Sequence, residues 1–207
     1  MTGRFITLEG GEGAGKSTQA RVLAAALEAR GLRVVLTREP GGSEGAEFVR
    51  ELLMRGDERR WGPRAEALLF AAARADHVEK LIAPALAEGV WVICDRYVDS
   101  TRAYQGASGI DDTAIMSLHA FGSSGLLPDR TLLLTLRPER GVARATARDG
   151  TAADRFVARD PAFHARVSAA FDQIAATEPE RVRRIDAEAP LEHVASAILD
   201  ELADLLS

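Results

Sequence analysis

The run Gly10-Gly11-Glu12-Gly13-Ala14-Gly15-Lys16-Ser17 gathers small residues ahead of a lysine and a hydroxyl, and it fits the pattern G-x-x-x-x-G-K-[ST]. Backbone N–H groups that turn inward around phosphate oxygens need angles and a close approach that glycine tolerates best. A lysine closing such a loop bridges the β- and γ-phosphates of a nucleotide, the next hydroxyl ligates Mg2+, and a helix starting there adds its positive N-terminal end. The spacing assigns Gly10, Gly11, Glu12, Gly13, Ala14, Gly15, Lys16, Ser17 and Thr18 to ATP, with Ser17 also a candidate metal ligand. An apolar run from Phe5 to Leu8 precedes the loop and a helical pattern follows it, so context and motif agree.

Such a loop does not separate kinases from switch proteins or motors, and the rest of the chemistry has to decide. Moving a phosphoryl group between two nucleotides brings two anions together, so permanent cations must stand between them. Arg38, in Thr37-Arg38-Glu39-Pro40-Gly41-Gly42, and Arg96, in Asp95-Arg96-Tyr97, each follow an apolar run, the place where open α/β sheets bind ligands. Asp95 is placed to hold the Mg2+ shell, directly or through water. Phe70 and Arg74 are one helical turn apart and share a face. There a ring stacks on a pyrimidine while the guanidinium donates to its O4, which favours thymine or uracil over cytosine. Between Arg137 and Arg159 six arginines (137, 140, 144, 148, 155, 159) stand against Glu139, Asp149 and Asp154, in a chain whose formal charge is −5. With the turn signal Asp149-Gly150-Thr151 inside it, the stretch from about 144 to 160 is expected to form a short lid that covers ATP and excludes water.

The scaffold that must position these groups is legible as an alternation of short apolar runs and longer amphipathic stretches, the pattern of βα units. Strands are expected at Phe5 to Leu8, Arg33 to Thr37, Val90 to Cys94, Thr131 to Leu136 and Val182 to Ile185. Helices are expected at about Ser17 to Arg30, Glu44 to Met54, Pro63 to Glu88, Asp111 to Phe121, Pro138 to Arg148, Pro161 to Thr177 and Pro190 to Leu206. Arg38 to Gly42, Asp99 to Ile110 and Arg148 to Asp160 read as non-helical. The predicted fold is α/β, a doubly wound five-stranded parallel sheet with helices on both faces, in a single domain over residues 1–207. The opening residues hold no long apolar stretch, so a cytoplasmic protein without a membrane or nucleic-acid partner is expected. Cys94 is the one cysteine, which excludes an internal disulfide. His77, His119, His164 and His193 show no spacing for a metal pair.

The segment Val92-Ile93-Cys94-Asp95-Arg96-Tyr97, with Ser100 and Ala103-Tyr104-Gln105 behind it, resembles a signature of the thymidylate kinase family. Arg38-Glu39-Pro40-Gly41-Gly42 is similar to that family's second loop, and Leu68-Leu69-Phe70-Ala71-Ala72-Ala73-Arg74 to its nucleobase helix, here about residues 63–88. With the glycine loop at 10–17, Pro128-Asp129 and the arginine-rich stretch, the resemblance covers about residues 4 to 160 in matching order. It implies transfer of the γ-phosphoryl group of ATP to dTMP. Arg38 would grip the monophosphate, Arg96 would bridge acceptor and donor, and Glu12 would face the acceptor. Ser100 and Gln105 would contact the base, and Tyr104 would pack under the sugar and disfavour a 2′-hydroxyl. Gly13 stands where some members carry arginine, which implies catalytic arginines from the lid. Arg148 and Arg155 are the candidates there, with Arg144 near ATP. A homodimer through the helices after Pro63 and Asp111 is also implied. Leu134-Thr135-Leu136 lacks the family's usual acid, and Arg130 replaces a common apolar residue. A deoxynucleoside kinase or another monophosphate kinase is the alternative enzyme, and a nucleotide-dependent switch the alternative class, although no Asn-Lys-x-Asp guanine signature is found.

Overall fold

The computed structural model describes residues 3–55, 60–149 and 156–206. Five strands, β1 (Phe5–Glu9), β2 (Val34–Arg38), β3 (Trp91–Asp95), β4 (Arg130–Thr135) and β5 (Val182–Asp186), form one sheet in the order β2-β3-β1-β4-β5. Every pairing is parallel. The helices are α1 (Lys16–Glu28), α2 (Glu44–Met54), α3 (Pro63–His77), α4 (Ala83–Ala87), α5 (Val98–Ala107), α6 (Asp112–Ser123), α7 (Pro138–Asp149), α8 (Pro161–Thr177) and α9 (Leu191–Asp200). A π-helical turn, Val78–Ile82, joins α3 to α4, so the helix expected over Pro63 to Glu88 is continuous but changes pitch.

Because all five residues of β1 are buried, the strand has no solvent face and its two sides feed different cores. Ile6 and Leu8 pack with Ile93, Leu132 and Leu134 under α1 and α9, while Phe5 packs with Val92, Cys94 and Tyr97 on the other side. A further cluster, Tyr104, Leu133, Phe163, Val167 and Phe171, fixes α5 and α8 to that second face. Helix starts follow local chemistry: Pro63 and Pro161 occupy first turns, and the Asp111 and Asp160 carboxylates accept from Thr113 N at 2.8 Å and Phe163 N at 2.7 Å. Arg130, the odd cation at the start of β4, is buried and pairs with Asp204 at 2.6 Å.

One expectation fails. The residue pattern of Asp99 to Ile110 predicts a non-helical segment, whereas most of it is helix α5. The reason is that its N-terminus is capped from another strand. Glu9 Oε1 at the end of β1 accepts from Tyr97 N at 2.7 Å and Ser100 N at 3.2 Å, and Oε2 accepts from Ser100 Oγ at 2.5 Å. A cap supplied across the sheet leaves no signature beside the helix it starts. The buried face of α5 is also partly polar, with Asp99, Thr101 and Gln105 turned inward, which hides the amphipathic pattern. Among the described residues, no helix is long and apolar enough to cross a membrane.

Candidate active site

Parallel register brings the motif residues of three strands to one edge of the sheet, since Asp95 pairs with Leu8 on one side and Arg38 on the other. The glycine loop leaves β1 at this edge and runs into α1, with Gly15 at φ 90° just before Lys16. Lys16 Nζ lies buried and donates to Gly10 O at 3.1 Å and Gly11 O at 2.7 Å, closing the loop on itself. Burial, then the nearby Arg96 guanidinium, lowers its pKa to about 8, against the pull of Glu12, Asp95 and Glu9. The Ser17 hydroxyl donates to Asp95 Oδ2, so the two candidate metal ligands are already side by side.

Arg96 is the residue through which the glycine loop meets α5. Its backbone sits at φ 71°, a left-handed conformation that non-glycine residues adopt at a cost. The segment is held there from both sides, by Arg96 N donating to Leu8 O at 3.0 Å and by the Glu9 cap on Tyr97. The side chain then reaches back. Nη1 donates to Gly10 O at 3.1 Å and Ser100 Oγ at 3.0 Å, and Nη2 donates to Glu12 Oε1 at 2.8 Å and Tyr104 Oη at 3.3 Å. Tyr104 Oη also donates to Glu12 Oε1 at 2.7 Å. Burial opposes ionisation of Glu12, but Arg96 and Lys16 outweigh it and draw its pKa down to about 2.

Beside the loop opens a cavity of about 220 Å³ lined from Glu12, Lys16 and Ser17 at one end to Phe70, Arg74 and Gln105 at the other. Arg74 is 2% exposed, with Nε donating to Glu39 Oε2 at 2.8 Å and Nη2 to Thr101 Oγ1 at 2.9 Å. Among the described residues Nη1 has no hydrogen-bond partner, and it belongs to a side chain that lines the cavity. Gln105 Nε2 donates to Glu66 Oε1 at 2.8 Å. Phe70 is partly buried, its ring 6.1 Å from that of Phe156, which in turn meets Tyr104 edge-on at 5.8 Å.

The structure thus brings Glu12, Gly13, Gly15, Lys16, Ser17, Thr18, Arg38, Phe70, Arg74, Asp95, Arg96, Ser100, Tyr104 and Gln105 around one cavity. Arg38 reaches it while pairing with Glu47 of α2, at 3.1 and 3.2 Å, and its side chain is 56% exposed. Arg144 does not line this cavity; its Nη1 donates to Ala187 O at 3.5 Å, after β5. The Arg148 side chain and Arg155 lie outside the described residues. Sequence reasoning missed Arg50 and Met54 of α2, Thr101 and Phe156, all of which line the cavity. Arg50, whose Nη1 donates to Pro40 O at 2.8 Å, sits one turn before Met54 on the helix that follows the Arg38 loop, a spacing that would have flagged it. Phe156 gave no signal, since a single aromatic beyond an arginine-rich stretch has no period.

A glycine loop at the C-terminal edge of a parallel sheet, running into a helix and opening beside a cavity lined by Arg38, Arg74 and Arg96, defines a P-loop nucleotide kinase. Comparison with known proteins narrows the class. The family model for thymidylate kinase matches residues 8–198, and the chain belongs to the thymidylate kinase family. It is 60% identical over 208 residues to the thymidylate kinase of Rhizorhabdus wittichii, with all of both chains covered. It is 52% identical to that of a Bradyrhizobium species, covering 99% of this chain and 91% of the relative. The crystal structure of thymidylate kinase from Ehrlichia chaffeensis superposes with a TM-score of 0.78 at 34% identity, covering 98% of this chain and 99% of that one.

Proposed function

We propose that the chain, as one kinase domain over residues 1–207, transfers the γ-phosphoryl group of ATP to the phosphate of dTMP, giving dTDP and ADP. The observation that carries this reading is Arg96, whose guanidinium joins the glycine loop to the α5 wall of the cavity beside it. A phosphate oxygen of the acceptor is already anionic, so attack on the γ-phosphorus needs no general base from the protein. What the protein must supply is alignment and charge. Lys16 donates to the β- and γ-phosphates in place of its present carbonyl partners. Arg96 and Arg38 hold the acceptor phosphate in line, and Arg148 and Arg155 of the lid answer the charge that develops at transfer. Gly10 to Thr18 cradle ATP, with Arg144 beside it.

Ser17 Oγ and Asp95 Oδ2 suit Mg2+, since both are hard oxygen donors in contact at the mouth of the loop. Among the described residues there is no group of three His, Cys, Asp or Glu side chains fit for a metal, which suits an ion completed by phosphate oxygens and water. Bound there, the ion would neutralise phosphate charge.

At the other end of the cavity Arg74 Nη1 donates to O4 of thymine, and Phe70 lies along the base. Glu66 takes the Gln105 N–H, which leaves the Gln105 amide oxygen to accept from the thymine N3–H. Cytosine presents neither group in that pattern. Tyr104, tied to Glu12 under the sugar, leaves no partner for a 2′-hydroxyl. The chain is further proposed to work as a homodimer in the cytoplasm, through the face of α3 and α6, where Leu68 is 55% and Phe121 93% exposed.

A panel of acceptors incubated with Mg·ATP tests the function. dTDP should form from dTMP, with dUMP slower and dCMP, dAMP and dGMP near background. Faster use of thymidine than of dTMP would make the chain a nucleoside kinase, and slow hydrolysis with no phosphorylated acceptor would make it a switch. For the base pocket, Arg74→Ala should raise the KM for dTMP by about ten- to a hundredfold, the range of a lost charged hydrogen bond, with the KM for ATP nearly unchanged. Equal losses on both sides would remove Arg74 from the base pocket. The variant will also melt earlier, because buried Glu39 loses its arginine partner and is left with His77.

A further inference from the structure

The underside of the glycine loop is seated on helix α7, and the seat is made of glycine on both sides. A Cβ placed on Gly13 would lie 2.1 Å from Gly141 O, and a Cβ placed on Gly141 would lie 2.3 Å from Glu12 O. Both values fall under the 3.0 Å below which something must shift, and in both cases the atom met is backbone rather than a flexible side chain. Gly141 occupies the first turn of α7, its N–H donating to Arg137 O at 3.0 Å, and Ala145 one turn later is fully buried on the same face. Glycine inside a helix weakens it relative to alanine, so helix propensity does not account for Gly141. The close approach does.

We propose that Gly141 is a positioning residue for the phosphate-binding loop, holding the Glu12–Gly13 backbone where its N–H groups meet the ATP phosphates. On its other side the loop is tied at the Glu12 carboxylate, by Arg96 and Tyr104, and at the Gly10 carbonyl, by Lys16 and Arg96, which leaves the Glu12–Gly13 peptide itself to give way. A side chain at 141 therefore pushes that peptide away from α7. The separation falls on the ATP side, since Phe70, Arg74 and Gln105 stand on α3 and α5 at the far end of the cavity. This inference rests on the assignment of the glycine loop to ATP.

The test is a size series, Gly141→Ala and Gly141→Val, with kcat, both KM values, the dissociation constant for dTMP without ATP, and the melting temperature. A displacement near 1 Å should cut kcat/KM for ATP about tenfold in Gly141→Ala, and more in Gly141→Val. The dTMP constant should stay within about twofold, and the melting temperature of Gly141→Ala should not fall. Unchanged kcat/KM for ATP in both variants overturns the proposal. So does a loss shared equally by ATP and dTMP together with a lowered melting temperature, which would make the contact ordinary packing. The unsubstituted enzyme is assayed in parallel: if it transfers nothing to dTMP, the reading of the site fails, a result separable from a normal enzyme with indifferent variants.

Discussion

Lys16→Ala is expected to lower turnover by about 10²- to 10³-fold, the range seen when one preorganised donor to a developing charge is removed, while the protein stays folded. The fold should survive because Lys16 is a buried ammonium satisfied by two loop carbonyls rather than by a dedicated carboxylate. Its pKa of about 8, below the ordinary 10.5, says that the folded state holds the proton less tightly than the unfolded chain does. The sign follows: between about pH 8 and 10.5 the unfolded state binds more protons, so the unsubstituted enzyme gains stability as pH rises across that window, and Lys16→Ala should not. The same proton is visible in kinetics. In the free enzyme, kcat/KM for ATP should decline above about pH 8 as the ammonium is lost, because that parameter reports groups of the free enzyme. Bound phosphates favour the charged form, so ATP binding above that pH should take up a proton, readable as a buffer-dependent calorimetric enthalpy. Near-normal turnover in Lys16→Ala would remove the lysine from phosphoryl transfer.

Much of this site was readable from residue order alone, and the parts that were not share a physical cause. The glycine loop, the strand ends carrying Arg38 and Asp95, and the Phe70–Arg74 pair are local patterns, and each has its chemistry written within one turn or one strand. The inner strands β1, β3 and β4 fell within a residue or two of their expected bounds because nearly all their residues are buried and their apolar runs stand out from the polar stretches around them. Helix α5 escaped because its cap is Glu9, far away in sequence, and because its inward face carries Asp99, Thr101 and Gln105. The partners of Arg74 and Arg96 escaped for the same reason. Nothing beside Arg74 in the chain announces Glu39, and nothing beside Arg96 announces Glu12; the first pair exists only once α3 comes against the end of β2, and the second only once the parallel sheet brings the ends of β1 and β3 together. Arg74 is consequently structural as well as the proposed reader of the base, a double role that a helical period cannot disclose. The Gly13–Gly141 contact is the extreme case, since it consists of atoms that every residue has and of side chains that neither residue possesses.

Arg96 is where these two kinds of role can be pulled apart, and Arg96→Ala is expected to lose turnover by about 10³-fold or more, beyond the effect of one neutral donor, because the cation between the two phosphates disappears. It should also lose stability, on the order of 3 kcal/mol or more, the usual consequence of leaving a largely buried charge without its partner, here Glu12. Arg96→Lys should repair little of the turnover. The guanidinium serves Gly10, Ser100, Glu12 and Tyr104 from two nitrogens in a fixed plane and lies 5.0 Å from the Tyr104 ring centre, an arrangement that a point-like ammonium cannot copy. Glu12 makes the separation possible. Its pKa of about 2, below the ordinary 4.5, means that it adds stability above about pH 4.5 that is lost as pH falls toward 2. Without Arg96 the largest force holding that pKa down is gone, burial is opposed chiefly by Lys16, and the carboxylate should take up a proton at higher pH. Adding Glu12→Gln to Arg96→Ala removes the orphaned charge and should restore most of the melting temperature, yet leave turnover as low as in the single variant. A double variant that recovered both would mean that Arg96 serves the fold alone, and the cation between the nucleotides would have to be sought elsewhere.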